Sequence, residues 1–166
     1  MCAHSTRWLV RIVLAATFAA HAGVLLAQTR NPPPPTENPV LGTWTLVVEK
    51  SRYNPGPPPQ SQTRTYEAQP KGIKTTIRTV LADGQTSTVS YTANYDSIEY
   101  HVTGSATTDA IQLTQIDAST AEAKLLHAGR LVGTARRVVA RDGKTMTITL
   151  RDVRGTVQNE AFYEKK

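Results

Sequence analysis

From Gly42 onward, segments rich in Thr, Val, Ile and Tyr are cut by turn signals: Lys71-Gly72, Asp83-Gly84, Asp96-Ser97, Asp117 to Ser119, Ala128-Gly129, Asp142-Gly143 and Arg154-Gly155. Spacings of about eight to fifteen residues leave room for a strand and its turn. Within the segments the side chains alternate. Ile73, Thr75, Ile77, Thr79 and Leu81 fall on one face, as do Val89, Tyr91, Ala93 and Tyr95, and Met146, Ile148 and Leu150. A period of two belongs to a strand with one buried face. The expectation is an all-β domain of about ten antiparallel strands, at 43–49, 61–68, 72–82, 85–95, 98–103, 109–116, 120–127, 130–141, 144–152 and 156–164. Turns this short favour pairing of sequence neighbours in an up-and-down meander.

An open meander of this length leaves two long edges, which closure into a β-barrel removes. The composition agrees with closure. Among the 139 residues after position 27, Leu, Ile, Val and Phe number 26, thin for two solidly packed sheets, while 22 threonines supply β propensity and hydroxyls for a partly polar lumen. Low charge and regular turns argue against disorder at this apolar content.

The N-terminus has a different logic. Arg7 and Arg11 precede the apolar run Ile12 to Ala20 and small residues to Ala27, the order of a secretory signal peptide, with cleavage after Ala27 or, alternatively, after Ala22. The run is shorter than the roughly twenty residues of a membrane span, so no stable membrane insertion is expected after cleavage. Cys2, the only cysteine, would leave with the leader at 1–27, so an exported domain without disulfides must rest on its own core. All ten prolines lie before residue 71, and Pro32 to Pro35 mark a Pro-rich tether over 28–38 ahead of a barrel domain at 39–166. Of the 19 Lys+Arg, two precede residue 28 and none of the 13 Asp+Glu does, leaving a net charge of +4 spread along the chain. That distribution gives no basic stripe for nucleic acid.

Gly42-Thr43-Trp44, followed by Leu46 and Val48, resembles the Gly-x-Trp opening of the calycin families, the lipocalins and the fatty-acid-binding proteins. Arg136 to Lys144, a Thr-alternating strand, and the closing Phe162-Tyr163-Glu164-Lys165 are similar to the end of the fatty-acid-binding proteins. The chain also looks like uncharacterised exported bacterial proteins that open with Gly-x-Trp and close on Tyr-Glu-Lys. The resemblance spans 39–166 and implies a lipocalin-like barrel around a small-molecule cavity. It also shows two departures. The fatty-acid binders hold a carboxylate with an Arg-x-Tyr whose matching positions here are Ala161 and Tyr163, and their two-helix cap corresponds to Asn54 to Gln60, too short and Pro-rich for helices.

Arg136 and Arg137 are adjacent in one strand, so an unbroken strand sends one guanidinium inward, where an anionic ligand, a carboxylate or water must satisfy it. A bulge or a place at the barrel rim is the alternative. Arg137 shares a face with Leu131, Ala135 and Val139, and Arg136 with Val132, Thr134 and Val138, so the pattern does not choose. Tyr91 and Tyr95 fall on the face of Val89 and are candidates to line the lumen, or to pack with hydroxyls reaching solvent. Trp44 reads as a plug at the base more than a ligand contact. His127 falls on the face of Ala121, Ala123 and Leu125 at a strand end, and His101 on an outward face. The two histidines form no metal-ligand spacing and no nucleophile-base pair, and neither a phosphate loop nor a nucleophile elbow occurs. No metal and no cofactor are expected.

The functional expectation is an exported binding protein, periplasmic or extracellular, holding a small amphipathic or carboxylate-bearing molecule with Arg136 or Arg137, Tyr163, Tyr91, Tyr95, Trp44 and His127 as candidate contacts. The alternatives are an interaction module with a filled barrel and a barrel-fold isomerase or hydrolase built on His127, Tyr91 and an arginine. Intact-mass analysis of exported protein should show a start after Ala22 or Ala27. Retention of Met1 to Ala20 would contradict the leader.

Overall fold

A computed structural model describes residues 38–166, so the leader at 1–27 and the tether up to residue 37 lie outside the described residues. The strands are β1 (Gly42–Leu46), β2 (Arg52–Tyr53), β3 (Ser61–Gln69), β4 (Gly72–Val80), β5 (Thr86–Ala93), β6 (Asp96–His101), β7 (Ala110–Gln115), β8 (Thr120–His127), β9 (Arg130–Val139), β10 (Thr145–Arg151) and β11 (Val157–Lys165). Apart from the two-residue β2, these are the ten strands expected from the turn spacing. The only helical element among the described residues is a 3-10 turn, Val48–Lys50. With β2 and the loop 54–60 it occupies the place of the two-helix cap.

The strands form one antiparallel meander ordered β5-β4-β3-β1-β11-β10-β9-β8-β7-β6, with β2 on β11. The architecture is compatible with a calycin-like fold. Closure is incomplete at one seam, which differs from a fully closed barrel. Strands β5 and β6 follow one another in sequence but do not pair, and the seam carries only an isolated bridge from Ser90 on β5 to Thr103, two residues beyond β6. There Ser90 N donates to Thr103 O at 3.0 Å, Thr103 N donates to Ser90 O at 2.9 Å, and the two hydroxyls lie 2.9 Å apart. The cause is local. The start of β6 carries a register break between Asp96 and Glu99, with Ser97 in the left-handed region at φ 63°, and such a bulge bends the strand away from its neighbour.

The inward face follows the alternation read from the sequence, and it is divided into a packed base and an open upper part. At the base Trp44, Tyr163, Met146 and Val40 are fully buried. The Trp44 indole N–H donates to Val40 O at 2.7 Å, and the Lys165 ammonium lies 5.2 Å from the Trp44 ring centroid. Burying a tryptophan removes about 150–250 Å² from water, or roughly 4–6 kcal/mol of gross transfer free energy. A second cluster of Ala93, Val102, Ile111, Leu113 and Ala123 packs the β5 to β8 side. The opposite end is the mouth, where the β4–β5, β6–β7, β8–β9 and β10–β11 connections gather with the loop 54–60.

Gly104 makes the seam possible. Its φ is +79°, and a Cβ built there would lie 1.9 Å from the backbone oxygen of Thr88 on β5. Gly155 has a similar φ of +85° with nothing within 4 Å of such a Cβ, so it isolates the conformational penalty from the clash. Gly155→Ala should cost about 1–2 kcal/mol, the left-handed penalty alone. Gly104→Ala should cost about 3 kcal/mol or more, because the loop must also leave β5. Urea unfolding of the two variants checks this, and equal losses would show that the seam does not depend on the close approach.

Candidate ligand-binding site

Above the Trp44 base the barrel encloses a cavity of about 260 Å³. It owes its existence to small side chains. Ala121 and Ala123 on β8, Ala135 on β9 and Ala161 on β11 line one wall, where larger residues would meet the opposite strands. Val89, Ile111, Leu113, Leu125 and Ile148 supply apolar surface, while Arg64, Tyr66, Tyr91, Arg137 and Tyr163 form a polar, aromatic wall.

The arginine pair resolves cleanly. Strand β9 keeps an unbroken register through both residues, with Glu122 opposite Arg136 and Ala121 opposite Arg137. Arg136 points outward and pairs with the Glu122 carboxylate at 2.7 Å. Its place among the candidate contacts is therefore corrected: a paired, half-exposed cation on the outer wall cannot reach the lumen. Arg137 points inward. Its Nη2 donates to the Tyr95 hydroxyl at 2.6 Å, and its guanidinium carbon sits 5.4 Å from the ring centroids of both Tyr66 and Tyr95. Its Nε is buried with no hydrogen-bond partner.

A second inward guanidinium, Arg64 on β3, was not anticipated. Its Nε donates to the Tyr163 hydroxyl at 3.0 Å and to Gln62 Oε1 at 3.2 Å, and its guanidinium carbon lies 5.4 Å from the Tyr163 ring centroid. Tyr163 O–H in turn donates to Gln62 Oε1. Ala161 carries no charge beside Tyr163 on β11, and the arginine that meets the Tyr163 hydroxyl comes from β3. The signal was Tyr66: an inward Tyr66 puts Gln62 and Arg64 on the same face by alternation. Nothing in the Thr63, Thr65 phase excluded the opposite reading.

Both lumenal arginines keep some solvent contact through the cavity, although the wall surrounds them. Burial is the largest influence on each and acts against the charge. For Arg64 it is outweighed by Tyr163, Tyr66 and Tyr91, and for Arg137 by Tyr66, Tyr95 and Tyr91, so both guanidiniums titrate above their ordinary value. The tyrosines respond in the other sense. Burial first, then Tyr66, pushes Tyr91 up to about 12, against the pull of Arg64, its Thr75 hydrogen bond and Arg137. Burial and then Tyr163 push Tyr53, at the mouth, up to about 12. Burial also raises Tyr163, opposed by Arg64. The wall therefore keeps Arg64 and Arg137 charged and holds the protons of Tyr91 and Tyr163 more tightly than water would.

The remaining candidates separate. Tyr91 and Tyr163 line the cavity, and Tyr95 reaches it through Arg137. Trp44 lies in the base beneath the cavity and does not line it, so a direct ligand contact is corrected to a plug. His127 is half exposed at the mouth end of β8, with Nδ1 3.6 Å from Asp109 Oδ2, beyond Leu125, the last residue of its face that lines the cavity. It too is removed from the set of contacts. Among the described residues no group of three or more His, Cys, Asp or Glu is placed to hold a metal ion. Comparison with known proteins finds no family model that matches the chain and no curated protein that matches it in sequence.

Between pH 10 and 12 the folded state should hold protons on Tyr91 and Tyr53 that the unfolded chain, titrating near 10, has released. Folding stability should accordingly be intact below pH 10 and fall as pH rises through about 12. Ultraviolet phenolate titration should show tyrosines ionising late in the native protein. Ionisation of all tyrosines together near pH 10 would contradict the enclosed aromatic wall.

Proposed function

We propose that the protein is an exported, lipocalin-like binding protein, periplasmic or extracellular, that holds a small carboxylate-bearing amphipathic molecule in its lumen without converting it. The observation that carries the reading is the pairing of a real cavity with two lumenal guanidiniums, Arg64 and Arg137, that have no ion-pair partner among the described residues. Burying a charge without compensation costs several kcal/mol, and removing it in favour of an apolar group of similar size is often neutral or stabilising. A fold that served only as a filled scaffold gains nothing from such groups. A binding protein gains a bidentate donor for a carboxylate in a water-poor setting. The apolar wall from Val89, Ile111, Leu113 and Leu125 suits the body of an amphipathic ligand. A lumen of about 260 Å³ lies just under the range of about 300–1,000 Å³ usual for drug-sized molecules, which favours a short ligand over a long acyl chain. The leader at 1–27 supports export.

The interaction-module reading requires a filled barrel, and the cavity weighs against it. The enzyme reading is weakened by the position of His127, outside the lumen and paired with Asp109.

Arg137→Met should weaken binding of a small aromatic carboxylate such as benzoate about tenfold or more, while leaving stability unchanged or raised. Arg136→Met should leave binding at the parent level and change stability by about 0.5 kcal/mol or less, as a surface substitution. Calorimetric titration and thermal melts of the two variants decide it. Parent-like binding and melting in both would remove the lumenal anion site.

A further inference from the structure

The charge balance inside the barrel says more about the ligand than that it is anionic. The two lumenal guanidiniums carry ten N–H donors between them. Protein acceptors engage only Nε of Arg64, shared by Tyr163 and Gln62, and Nη2 of Arg137, bound to Tyr95. The acceptors are a neutral amide and neutral phenols, so they lower the cost of burial by dipole and supply no countercharge. None of the ion pairs among the described residues includes either arginine, although Arg136, one residue away, has its carboxylate in place. The lumen is a donor-rich chamber in which Arg64 and Arg137 supply two positive charges, the carboxylate of Glu122, a residue that also borders the cavity, being held by Arg136 on the outer wall.

The two cations open onto one cavity. Arg137 stacks near Tyr66, which is two residues from Arg64 on the same face of β3, and Tyr66 and Tyr91 bear on the charge of both arginines. Both line the same cavity of about 260 Å³, so an anion held by one of them lies in the space that the other also borders. A single monocarboxylate would neutralise one guanidinium and leave the other buried with its donors unmet. A group with two negative charges satisfies both. Resting on the lumenal-binding reading above, we infer that the physiological ligand presents a compact dianionic head, a phosphate monoester or a vicinal dicarboxylate, to Arg64 and Arg137 together, with a short apolar body against Ile111, Leu113 and Leu125. The head bridges β3 and β9, which lie on opposite flanks of the β1–β11–β10 wall. Both arginines then discriminate by charge number, because a ligand that fails to engage one of them leaves it desolvated and unpaired.

The test is a ligand series of one ring size titrated calorimetrically into the purified protein at near-neutral pH: benzoate as monoanion, phthalate and phenyl phosphate as dianions, and benzyl alcohol as the uncharged control. At least one dianion should bind about tenfold or more tighter than benzoate, and benzyl alcohol weaker than either. The better of phthalate and phenyl phosphate identifies the head group, and either ranking supports the inference. Arg64→Met and Arg137→Met should each bring that dianion down to the benzoate level. Where a methionine variant does not fold, Arg64→Lys or Arg137→Lys, which keeps the charge and loses the planar fork, should retain part of the preference. Benzoate binding as tightly as both dianions would overturn the dianion inference and leave the lumenal carboxylate reading standing. Failure of all three anions to bind, or binding of benzyl alcohol equal to theirs, would overturn both.

Discussion

Five residues hold the barrel together. Strand β1 is hydrogen bonded to β3 on one side and to β11 on the other, and among the described residues it is the one continuous ladder between the β3–β5 and β6–β11 hairpin stacks, the seam adding only the isolated Ser90–Thr103 bridge. Its central residue is Trp44, which sits opposite Arg64 on β3 and opposite Lys165 on β11 while its ring closes the base. The candidate site inherits this arrangement. Arg64 and Tyr163 are two strand spacings apart, about 9–10 Å along the sheet, and their hydrogen bond spans β1 only because both side chains are long and point to the same interior. The pairing joins residues 99 positions apart in the chain, so the site completes itself only when the last strand is in place.

The cavity is a consequence of what the strands on the far side lack. Strands β8, β9 and β11 place alanine at inward positions 121, 123, 135 and 161, and the space left open is bordered by tyrosines and arginines too long to fold back on themselves. The same positions filled with leucine would give an ordinary apolar core continuous from Trp44 to the mouth. The mixture of very small and very large inward residues, more than the total apolar content, is what separates a chamber from a packed barrel. Tyr95 lies in the connection between β5 and β6, the two strands that fail to pair, and its hydroxyl accepts a hydrogen bond from Arg137 on β9.

Most of the fold was legible because period-two alternation and turn dipeptides act locally. The ten long strands follow the expected turn spacing, with the one turn between β5 and β6 falling at Asn94 and Tyr95, just ahead of the Asp96-Ser97 signal. The open seam was not legible. It depends on a bulge at Asp96 to Glu99 and a left-handed Ser97, a residue type that carries no turn requirement of its own. The inward placement of side chains was legible in part. Tyr91, Tyr163 and one arginine of the pair face the cavity as the alternation allows, but the alternation could not set the phase of β9, because Leu131, Ala135 and Val139 on one face balance Val132, Thr134 and Val138 on the other. Arg64 was missed for a related reason: β3 is flanked by threonines compatible with either face, and one buried Tyr66 decides it. His127 lies outside the cavity because the β8–β9 register shifts between Leu125 and Leu126, and strict alternation does not carry past that break.

The phase of β9 is set by its neighbour, and that neighbour also decides which arginine is left charged and alone. On β8 the outward position opposite Arg136 is Glu122, and the inward position opposite Arg137 is Ala121. One strand therefore neutralises the cation that water would have solvated anyway and leaves uncompensated the one that water reaches least. On the β10 side Arg137 faces Ile148, again without an acceptor. A lumen selected for stability alone would reverse this pattern, since a carboxylate at position 121 would give Arg137 a bidentate partner and a methyl group at position 122 would cost the surface ion pair little. The unmet charge thus resides in the identity of single residues on β8 and β10, not in any requirement of the barrel, and it is the feature on which the proposed recognition of an anion rests.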